Sequence, residues 1–205
     1  MLIKVCGMRD GENIRQVAAL GVDWIGMIFW PKSPRNVTAN PDIKADHILR
    51  VGVFVDETVQ NIATRVADFQ LNLVQLHGHE SPTFIHDLRQ ALPSDLRIIK
   101  AISVASRHDI AAYKAYEGCV DYFLFDTKCP TVGGSGQQFD WSVLETYEGK
   151  TPFLLSGGIG PDDVERIKRF QHPRCIGIDL NSRFETAPAV KDIAALRTFL
   201  SQITH

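Results

Sequence analysis

Two residues at the ends of apolar segments have side chains suited to proton transfer. Cys6 ends the first apolar run of the chain, and Asp126 directly follows the sixth. A thiol can act as a base when its pKa falls below the free value of about 8.5, and a carboxyl group can act as an acid when burial raises its pKa. Taken alone, Cys6 is more typical of a small buried apolar residue, the usual place of a free cysteine.

Lys4 lies two residues before Cys6 and should share one face of an extended strand with it. Because a buried ammonium group is costly without a partner, we expect Lys4 to pair with Asp126 or Asp179. The same ammonium group would help to hold Cys6 as a thiolate.

Two glycine-rich or polar segments are suited to binding a phosphate group. Gly157 and Gly158 follow the seventh apolar run, and their backbone N–H groups can converge on an anion. Asn181 and Ser182 follow the eighth run, where a short helix can present its N-terminus. The alternative is that the glycines only form tight turns, but the paired positions favour phosphate.

Arg35 lies in a segment with two prolines, Pro31 and Pro34, which restrict its backbone. A guanidinium group held in this way can bind a carboxylate in a bidentate pair. The alternative is an exposed arginine that is simply solvated.

His77 and His79 resemble a metal-binding pair only superficially. Alternate residues just past a strand end need not converge, and no third ligand is evident. The sequence therefore predicts no metal site.

The elements that must position these residues repeat eight times as a short apolar run, a turn and a helical pattern. The runs are rich in Val, Ile, Leu and Phe and mostly lack polar alternation, which is typical of parallel strands covered on both faces. The predicted strands are Leu2–Cys6, Trp24–Phe29, Val51–Val55, Leu73–Leu76, Ile98–Ile102, Tyr122–Phe125, Phe153–Leu155 and Cys175–Leu180.

Helical patterns with recognisable start and stop signals separate the strands. Asn13–Leu20 should end at Gly21, Pro41–Leu49 has the weakest pattern, and Trp141–Tyr147 is short. The other predicted helices begin at Thr58, Ser81-Pro82, Ser106 with Asp109, Gly160-Pro161 and Ile193.

Eight strand–helix units of about 26 residues each close naturally into a (β/α)8 TIM barrel. A doubly wound open sheet is the alternative, but it usually has fewer strands and a visible switch point. No linker or composition break divides the chain, so we predict a single α/β barrel domain over residues 1–205. The active site of such a barrel lies at the C-terminal ends of its strands, which is where the residues above fall.

The composition argues against several classes of protein. With 22 Lys+Arg against 24 Asp+Glu the formal charge is −2, and 44% of the residues are hydrophobic, which disfavours a disordered chain and a nucleic-acid binder. No apolar run approaches the roughly 18–20 residues that span a bilayer, so no membrane partner is expected. The start of the chain does not resemble a signal peptide. Four scattered cysteines are not a disulfide framework, and we therefore expect a cytoplasmic protein.

Several motifs resemble the phosphoribosylanthranilate isomerase family, in that family's order and over nearly the whole chain. They are Lys4-Val5-Cys6-Gly7-Met8, Phe29-Trp30-Pro31-Lys32-Ser33-Pro34-Arg35, Val51-Gly52-Val53-Phe54-Val55, Gln75-Leu76-His77-Gly78, Asp126-Thr127-Lys128, Gly133-Gly134-Ser135-Gly136 with Phe139-Asp140-Trp141, and Leu155-Ser156-Gly157-Gly158. The resemblance implies a barrel enzyme of tryptophan biosynthesis that uses no cofactor. It implies a small phosphosugar as substrate, and we expect a monomer or a homodimer.

The implied reaction is an Amadori rearrangement of N-(5-phospho-β-D-ribosyl)anthranilate to 1-(2-carboxyphenylamino)-1-deoxyribulose 5-phosphate. The resemblance makes Cys6 the general base and Asp126 the general acid, and it makes Arg35 the clamp for the anthranilate carboxylate. The mechanism requires a lowered pKa for the thiol and a raised pKa for the carboxyl group, with a bell-shaped pH profile. The remaining implied contacts are a phosphate cradle of Gly157, Gly158, Asn181 and Ser182, with His77 and Asp179 near the substrate.

Two features of the loops are not among the motifs and contacts described above. A loop at Cys129–Phe139 is expected to exclude water, and Cys129 itself is expected to be incidental. Arg183 stands where the family pattern has a glycine. It either disturbs a backbone contact to the phosphate or adds a cation near it.

Two alternative classes of function remain to be tested. A ribulose-phosphate epimerase would need metal ligands, and a histidine-pathway barrel would need a phosphate loop after strand 3, where Asp56-Glu57-Thr58 has no glycine. A non-catalytic phosphate-binding barrel would bind the same ligand without needing both Cys6 and Asp126.

Overall fold

Eight parallel strands close into a barrel in the order in which they occur along the chain. The structure is a computed structural model, and it describes residues 1–41, 47–127 and 139–203. The strands are β1 (Leu2–Val5), β2 (Trp24–Ile28), β3 (Leu49–Phe54), β4 (Leu73–Leu76), β5 (Arg97–Val104), β6 (Tyr122–Thr127), β7 (Phe153–Leu155) and β8 (Cys175–Leu180). The predicted (β/α)8 barrel is confirmed.

The barrel is closed by the pairing of β1 with β8. Lys4 lies opposite Trp24 of β2 on one side and opposite Asp179 of β8 on the other. Because residues two apart on a strand share a face, Lys4 and Cys6 both point into the barrel.

Helices cover the outside of the barrel. Several of them follow an N-cap residue whose side chain accepts a hydrogen bond from one of the first backbone N–H groups of the helix. Asp10, Thr58 and Ser81 each accept a hydrogen bond from the backbone three residues later. The α-helices are α1 (Gly11–Ala18), α2 (Val59–Phe69), α3 (Pro82–Ala91), α4 (Arg107–Ile110), α5 (Val164–Arg169) and α6 (Ile193–Ile203).

Several connections differ from the predicted helices. The segment Trp141–Thr146 is a 3-10 helix, and α4 is short because the chain continues as a second 3-10 helix, Ala111–Ala115. Most of the helix predicted at Pro41–Leu49 lies outside the described residues, and Leu49 itself begins β3. Among the described residues, no helix has both the length and the apolar character needed to cross a bilayer.

Apolar side chains fill the barrel and form a second layer between the strands and the helices. Alternate residues of each strand supply the two layers, which is why the runs lack polar alternation. The interior cluster consists of Cys6, Trp24, Val51, Val53, Leu73, Ile99, Ala101, Leu124 and Leu154. These apolar residues fill the barrel below its mouth, the end formed by the C-terminal ends of the strands.

After β8 the chain forms a short helical turn, as the sequence predicts, and then a hairpin that the sequence does not predict. Ser182–Phe184 forms one 3-10 turn, and the chain then folds back as a hairpin of β9 (Glu185–Ala187) and β10 (Val190–Lys191). This hairpin carries two buried charged side chains to the mouth of the barrel.

Candidate active site

Cys6 lies inside the mouth of the barrel next to a buried ion pair. The Nζ atom of Lys4 is 2.8 Å from Oδ1 of Asp179, and their side chains are 0% and 6% exposed. The ammonium group of Lys4 also acts on Cys6, since its charge lowers the pKa of the thiol, and Asp179 accepts a hydrogen bond from Oγ of Ser156 at 3.3 Å. Of the two partners expected for Lys4, the structure therefore selects Asp179.

The pKa of the Cys6 thiol is shifted upward, whereas the mechanism predicted from the sequence requires a downward shift. Burial raises this pKa above its ordinary value, although the ammonium groups of Lys4 and Lys191 partly offset the effect. The expectation of a lowered thiol pKa is therefore wrong, because the sequence shows the neighbouring cation but not the complete desolvation of the sulfur.

Lys4 itself remains a cation. Burial favours its neutral form, but the charges of Asp179 and Cys6 outweigh that effect and raise the pKa of Lys4. The ammonium group next to the thiol is thus retained as the pH rises through the range in which cysteine ionises.

Gly26 on β2 provides the space that the Cys6 thiol occupies. A Cβ atom at this position would lie 2.7 Å from Sγ of Cys6 and 3.1 Å from its Cα, distances at which the sulfur or its strand would have to move. The position of the thiol therefore depends on a glycine that lies outside the mouth loops.

Asp126 extends from the end of β6, and both of its carboxylate oxygens are engaged. Oδ1 accepts a hydrogen bond from the N–H of Thr127 at 2.8 Å, and Oδ2 lies 3.3 Å from Nε2 of His77. The other ring nitrogen of His77 is 2.9 Å from Nε2 of Gln75. The structure thus brings His77 into contact with the predicted general acid, and it holds the carboxylate in one orientation.

Arg35 reaches the mouth from the loop after β2 and is paired with Glu185 of β9. Its Nε atom donates to both carboxylate oxygens, at 2.8 and 3.1 Å, and Nη2 donates to Oε2 at 2.6 Å. The side chains are 11% and 5% exposed. Arg35 is therefore an oriented cation at the rim of the site. The alternative, an exposed and solvated arginine, is excluded.

Lys191 of β10 completes this second charged group. Its Nζ atom lies 2.6 Å from Oε1 of Glu185 and 2.8 Å from Oδ1 of Asn181. Two cations and one carboxylate leave this side of the mouth with one positive charge. The side chain of Asn181, predicted as a phosphate ligand, is directed to Lys191 instead of into the loop after β7.

The predicted phosphate loop after β7 has the backbone that glycine favours. Gly157 and Gly158 both have positive φ values, +94° and +67°, which other residues adopt only at a cost. A Cβ atom on Gly157 would overlap Thr127, whose buried Oγ1 has no hydrogen-bond partner among the described residues.

Arg183 and Ser182 lie in the 3-10 turn after β8, beside this loop. A Cβ atom on Gly160 would be 3.0 Å from Nε of Arg183, so the guanidinium group packs against the loop that carries the glycines. Of the two alternatives for Arg183, this position favours an added cation next to the predicted phosphate loop.

The two histidines of the apparent metal pair diverge. Whereas His77 faces Asp126, the imidazole of His79 is 95% exposed and lies 3.2 Å from Asp56. Within residues 1–41, 47–127 and 139–203, no group of three or more His, Cys, Asp or Glu side chains could hold a metal ion.

Cys6, Cys119 and Cys175 are free thiols, whereas Cys129 and most of the loop predicted to exclude water lie outside the described residues.

Four residues that shape this site have no role predicted from the sequence. They are Gln75, Gly26, Glu185 and Lys191. Gln75 and Glu185 were recognisable as polar residues at strand ends, but Lys191 has no local signal because the hairpin that carries it to the mouth was not predicted.

The comparison with known proteins agrees with this geometry. Residues 3–202 match the family model of N-(5'phosphoribosyl)anthranilate (PRA) isomerase. A relative from Parabacteroides distasonis, named N-(5'-phosphoribosyl)anthranilate isomerase, is 49% identical over 211 residues and covers 100% of this chain and 94% of the relative.

Solved structures of this enzyme share the fold. The phosphoribosyl anthranilate isomerase of Thermotoga maritima superposes with a TM-score of 0.85 at 30% identity, covering 100% of this chain and 99% of that one. A phosphoribosyl anthranilate isomerase in complex with reduced 1-(o-carboxyphenylamino)-1-deoxyribulose 5-phosphate has a TM-score of 0.81 at 27% identity, covering 100% and 98%. The match to the family model and to these relatives extends over nearly the whole chain, and the protein belongs to the N-(5'-phosphoribosyl)anthranilate isomerase family.

Proposed function

We propose that the mouth of the barrel carries out the isomerisation of this family with Cys6 as general base and Asp126 as general acid, the whole chain acting as one catalytic unit. The substrate is N-(5-phosphoribosyl)anthranilate and the product 1-(2-carboxyphenylamino)-1-deoxyribulose 5-phosphate, a step of tryptophan biosynthesis. The observation that carries the assignment is the position of the buried Cys6 thiol, which lies two residues beyond Lys4 on the same inward face and so beside the Lys4–Asp179 ion pair.

The reaction begins with opening of the ribose ring. Asp126 donates a proton to the ring oxygen, and the bond from that oxygen to C1′ breaks, leaving an iminium ion at C1′. The contacts of Asp126 with Thr127 and His77 support this role, because they hold the carboxyl group in one orientation. A positioned proton donor contributes on the order of 10²–10⁴ to the rate.

Cys6 then removes the hydrogen from C2′, and the electron pair of that C–H bond forms the enolamine. Burial keeps the thiol mostly protonated at neutral pH. The iminium charge opposes this effect, because a cation close to a thiol favours its thiolate form. At this stage the thiol releases its proton to solvent, and the resulting thiolate takes up the proton from C2′. The enolamine then tautomerises to the aminoketone, as C1′ gains a proton and the C2′ hydroxyl group loses one.

The two ends of the substrate are anionic, and the mouth offers a cationic site for each. The phosphate is assigned to the loop of Gly157 and Gly158 together with the turn at Asn181 and Ser182, where Arg183 adds a positive charge. The anthranilate carboxylate is assigned to Arg35 in the loop after β2, which lies on the other side of β1 from the loops that follow β7 and β8. Asp179 contributes by holding Lys4 next to the reacting carbon.

The setting of the enzyme follows from the same features. We assign it to the cytoplasm, where its free thiols would stay reduced, and expect a monomer or a homodimer. A structure from Thermotoga maritima is described as mutually generated monomers of a dimeric phosphoribosylanthranilate isomerase, so both states are compatible with the fold.

The test is a progress curve with freshly prepared phosphoribosylanthranilate, followed by anthranilate fluorescence with and without a chelator. Wild type, Cys6→Ala and Asp126→Asn are measured in parallel. Turnover that is insensitive to chelator and lost in both variants supports the proposal. Loss of turnover with the chelator favours a metal-dependent phosphosugar enzyme, binding without turnover favours a ligand sensor, and full activity of Cys6→Ala rejects Cys6 as the base.

A further inference from the structure

We propose that Glu185 is the residue that makes the enzyme selective for a carboxylated aromatic amine, because it positions the guanidinium group of Arg35. The inference rests on the proposed function, in which Arg35 binds the anthranilate carboxylate. Glu185 does not touch the reacting atoms, and its effect is transmitted through Arg35.

The pairing leaves one part of the guanidinium group available for a ligand. Glu185 occupies Nε and one N–H of Nη2 of Arg35. None of the described residues hydrogen-bonds to Nη1, so the end of the guanidinium group presents two adjacent donors. This is the geometry that a carboxylate accepts in a bidentate pair.

The stem of Arg35 is held as firmly as its head. It passes over Gly7, where a Cβ atom would be 2.7 Å from Cδ of Arg35, and Gly7 has a φ of +76°. An arginine side chain loses up to about 2 kcal/mol of conformational entropy when it is fixed. Glu185 and Gly7 impose that order before the substrate arrives, so less of the binding free energy is spent on ordering Arg35.

Glu185 is itself fixed by Lys191 and by the hairpin. Its Oε1 atom accepts hydrogen bonds from Nζ of Lys191 at 2.6 Å and from the N–H of Ala189 at 3.2 Å. Lys191 and Arg35 together outweigh the effect of burial and lower the pKa of Glu185, so Glu185 stays ionised. With Glu185 in place, the three side chains carry one net positive charge, which matches a single carboxylate.

A different role for Glu185 would have the opposite effect on binding. If its carboxylate only competed with the substrate for Arg35, removing its charge would strengthen the binding of anthranilate derivatives. If it positions Arg35, removing the charge weakens their binding. Glu185→Gln therefore separates the two possibilities by the sign of the change in KM.

The experiment compares two glycosylamines of ribose 5-phosphate, one made with anthranilate and one with aniline, which lacks the carboxylate. In the wild type, kcat/KM should favour the anthranilate compound on the order of tenfold or more, as expected for a charged hydrogen bond. In Glu185→Gln this preference should fall about tenfold, through a higher KM for the anthranilate compound alone.

Both substrates are measured on the same protein preparation, so any unfolded fraction cancels in the ratio. Glu12→Gln is the matched control, because Glu12 forms a comparable pair with Arg15 on the surface, 2.6 Å apart; its ratio should equal that of the wild type. Glu185→Asp keeps the charge next to Lys191 but withdraws it from Arg35, and it should also lower the preference.

The outcomes separate the inference from the proposed function. An unchanged preference in Glu185→Gln and Glu185→Asp, or a lower KM for the anthranilate compound, overturns the positioning role while leaving the isomerase intact. A wild type that turns over both compounds equally overturns the carboxylate clamp and the inference with it. A wild type that turns over neither compound contradicts the proposed function itself.

Discussion

The Nε2 atom of His77 lies 3.3 Å from Oδ2 of Asp126, and the amide of Gln75 contacts the other nitrogen of the same ring. The imidazole thus links a buried amide of β4 to the proposed acid at the end of β6. Such a link orients a carboxyl group even when the imidazole takes no part in the chemistry.

Replacing His77 by Ala should lower kcat about tenfold, because Asp126 would lose one of its two orienting contacts. Asp126→Asn should lower kcat by on the order of 10²–10⁴. If His77 acts only through Asp126, the double variant will be no slower than Asp126→Asn. If steady-state kinetics show that the reductions in kcat of the two single variants multiply in the double variant, His77 has a role independent of Asp126.

The raised pKa of Cys6 predicts the shape of the pH profile. A thiol with a raised pKa is mostly protonated up to at least about pH 8.5, so its thiolate fraction is small at pH 7 and increases about tenfold with each pH unit above that. We expect kcat/KM of the wild type to increase from pH 7 to 9, and Cys6→Ala to lose this increase together with its activity. A profile that is flat over this range would show that the thiol ionises at lower pH in solution.

Lys4→Met should shift this increase to still higher pH, because the ammonium group of Lys4 lowers the pKa of Cys6. At pH 7 the variant should be slower than the wild type, since a higher thiol pKa leaves a smaller fraction of Cys6 as thiolate. The readout is the pH at which kcat/KM is half its maximum.

Lys100→Met is the control for the Lys4 variant. Lys100 forms another buried ion pair, with Glu80 at 3.0 Å, and breaking such a pair costs about 3–5 kcal/mol. Both variants should lose thermal stability, but only Lys4→Met should move the pH dependence. Equal shifts in the two proteins would mean that the effect comes from lost stability.

Gly26→Ala should lower kcat by about tenfold or more while changing KM little, because its Cβ atom would displace the sulfur of Cys6. Gly21→Ala is the contrasting change. It has no atom within 4 Å of the added Cβ, but its φ is +78°, so it should cost about 1 kcal/mol of stability and leave kcat unchanged. Kinetics and thermal denaturation of both variants test this difference.

The strands could be predicted from the sequence because their apolar runs depend on local composition. The residues at their ends could be predicted because a barrel gathers those ends at one mouth. The pairing of Arg35 with Glu185 could not, since it joins residues 150 positions apart through a hairpin whose short strands lack a clear pattern.

The raised pKa of Cys6 was also beyond prediction. Lys4 is visible two residues away, but the desolvation of the sulfur depends on side chains from the other strands of the interior cluster. The family resemblance suggested roles for Cys6 and Asp126 without giving the electrostatic environment of either group.

The ion pair between Lys4 and Asp179 joins the first strand to the last. During synthesis the proposed base emerges from the ribosome with the first strand of the barrel, whereas the carboxylate that balances its neighbouring ammonium group emerges only with the last strand. A nascent chain that lacks β8 therefore cannot bury Lys4 at low cost. Catalytic competence and closure of the barrel are reached together, so that a truncated chain gains neither.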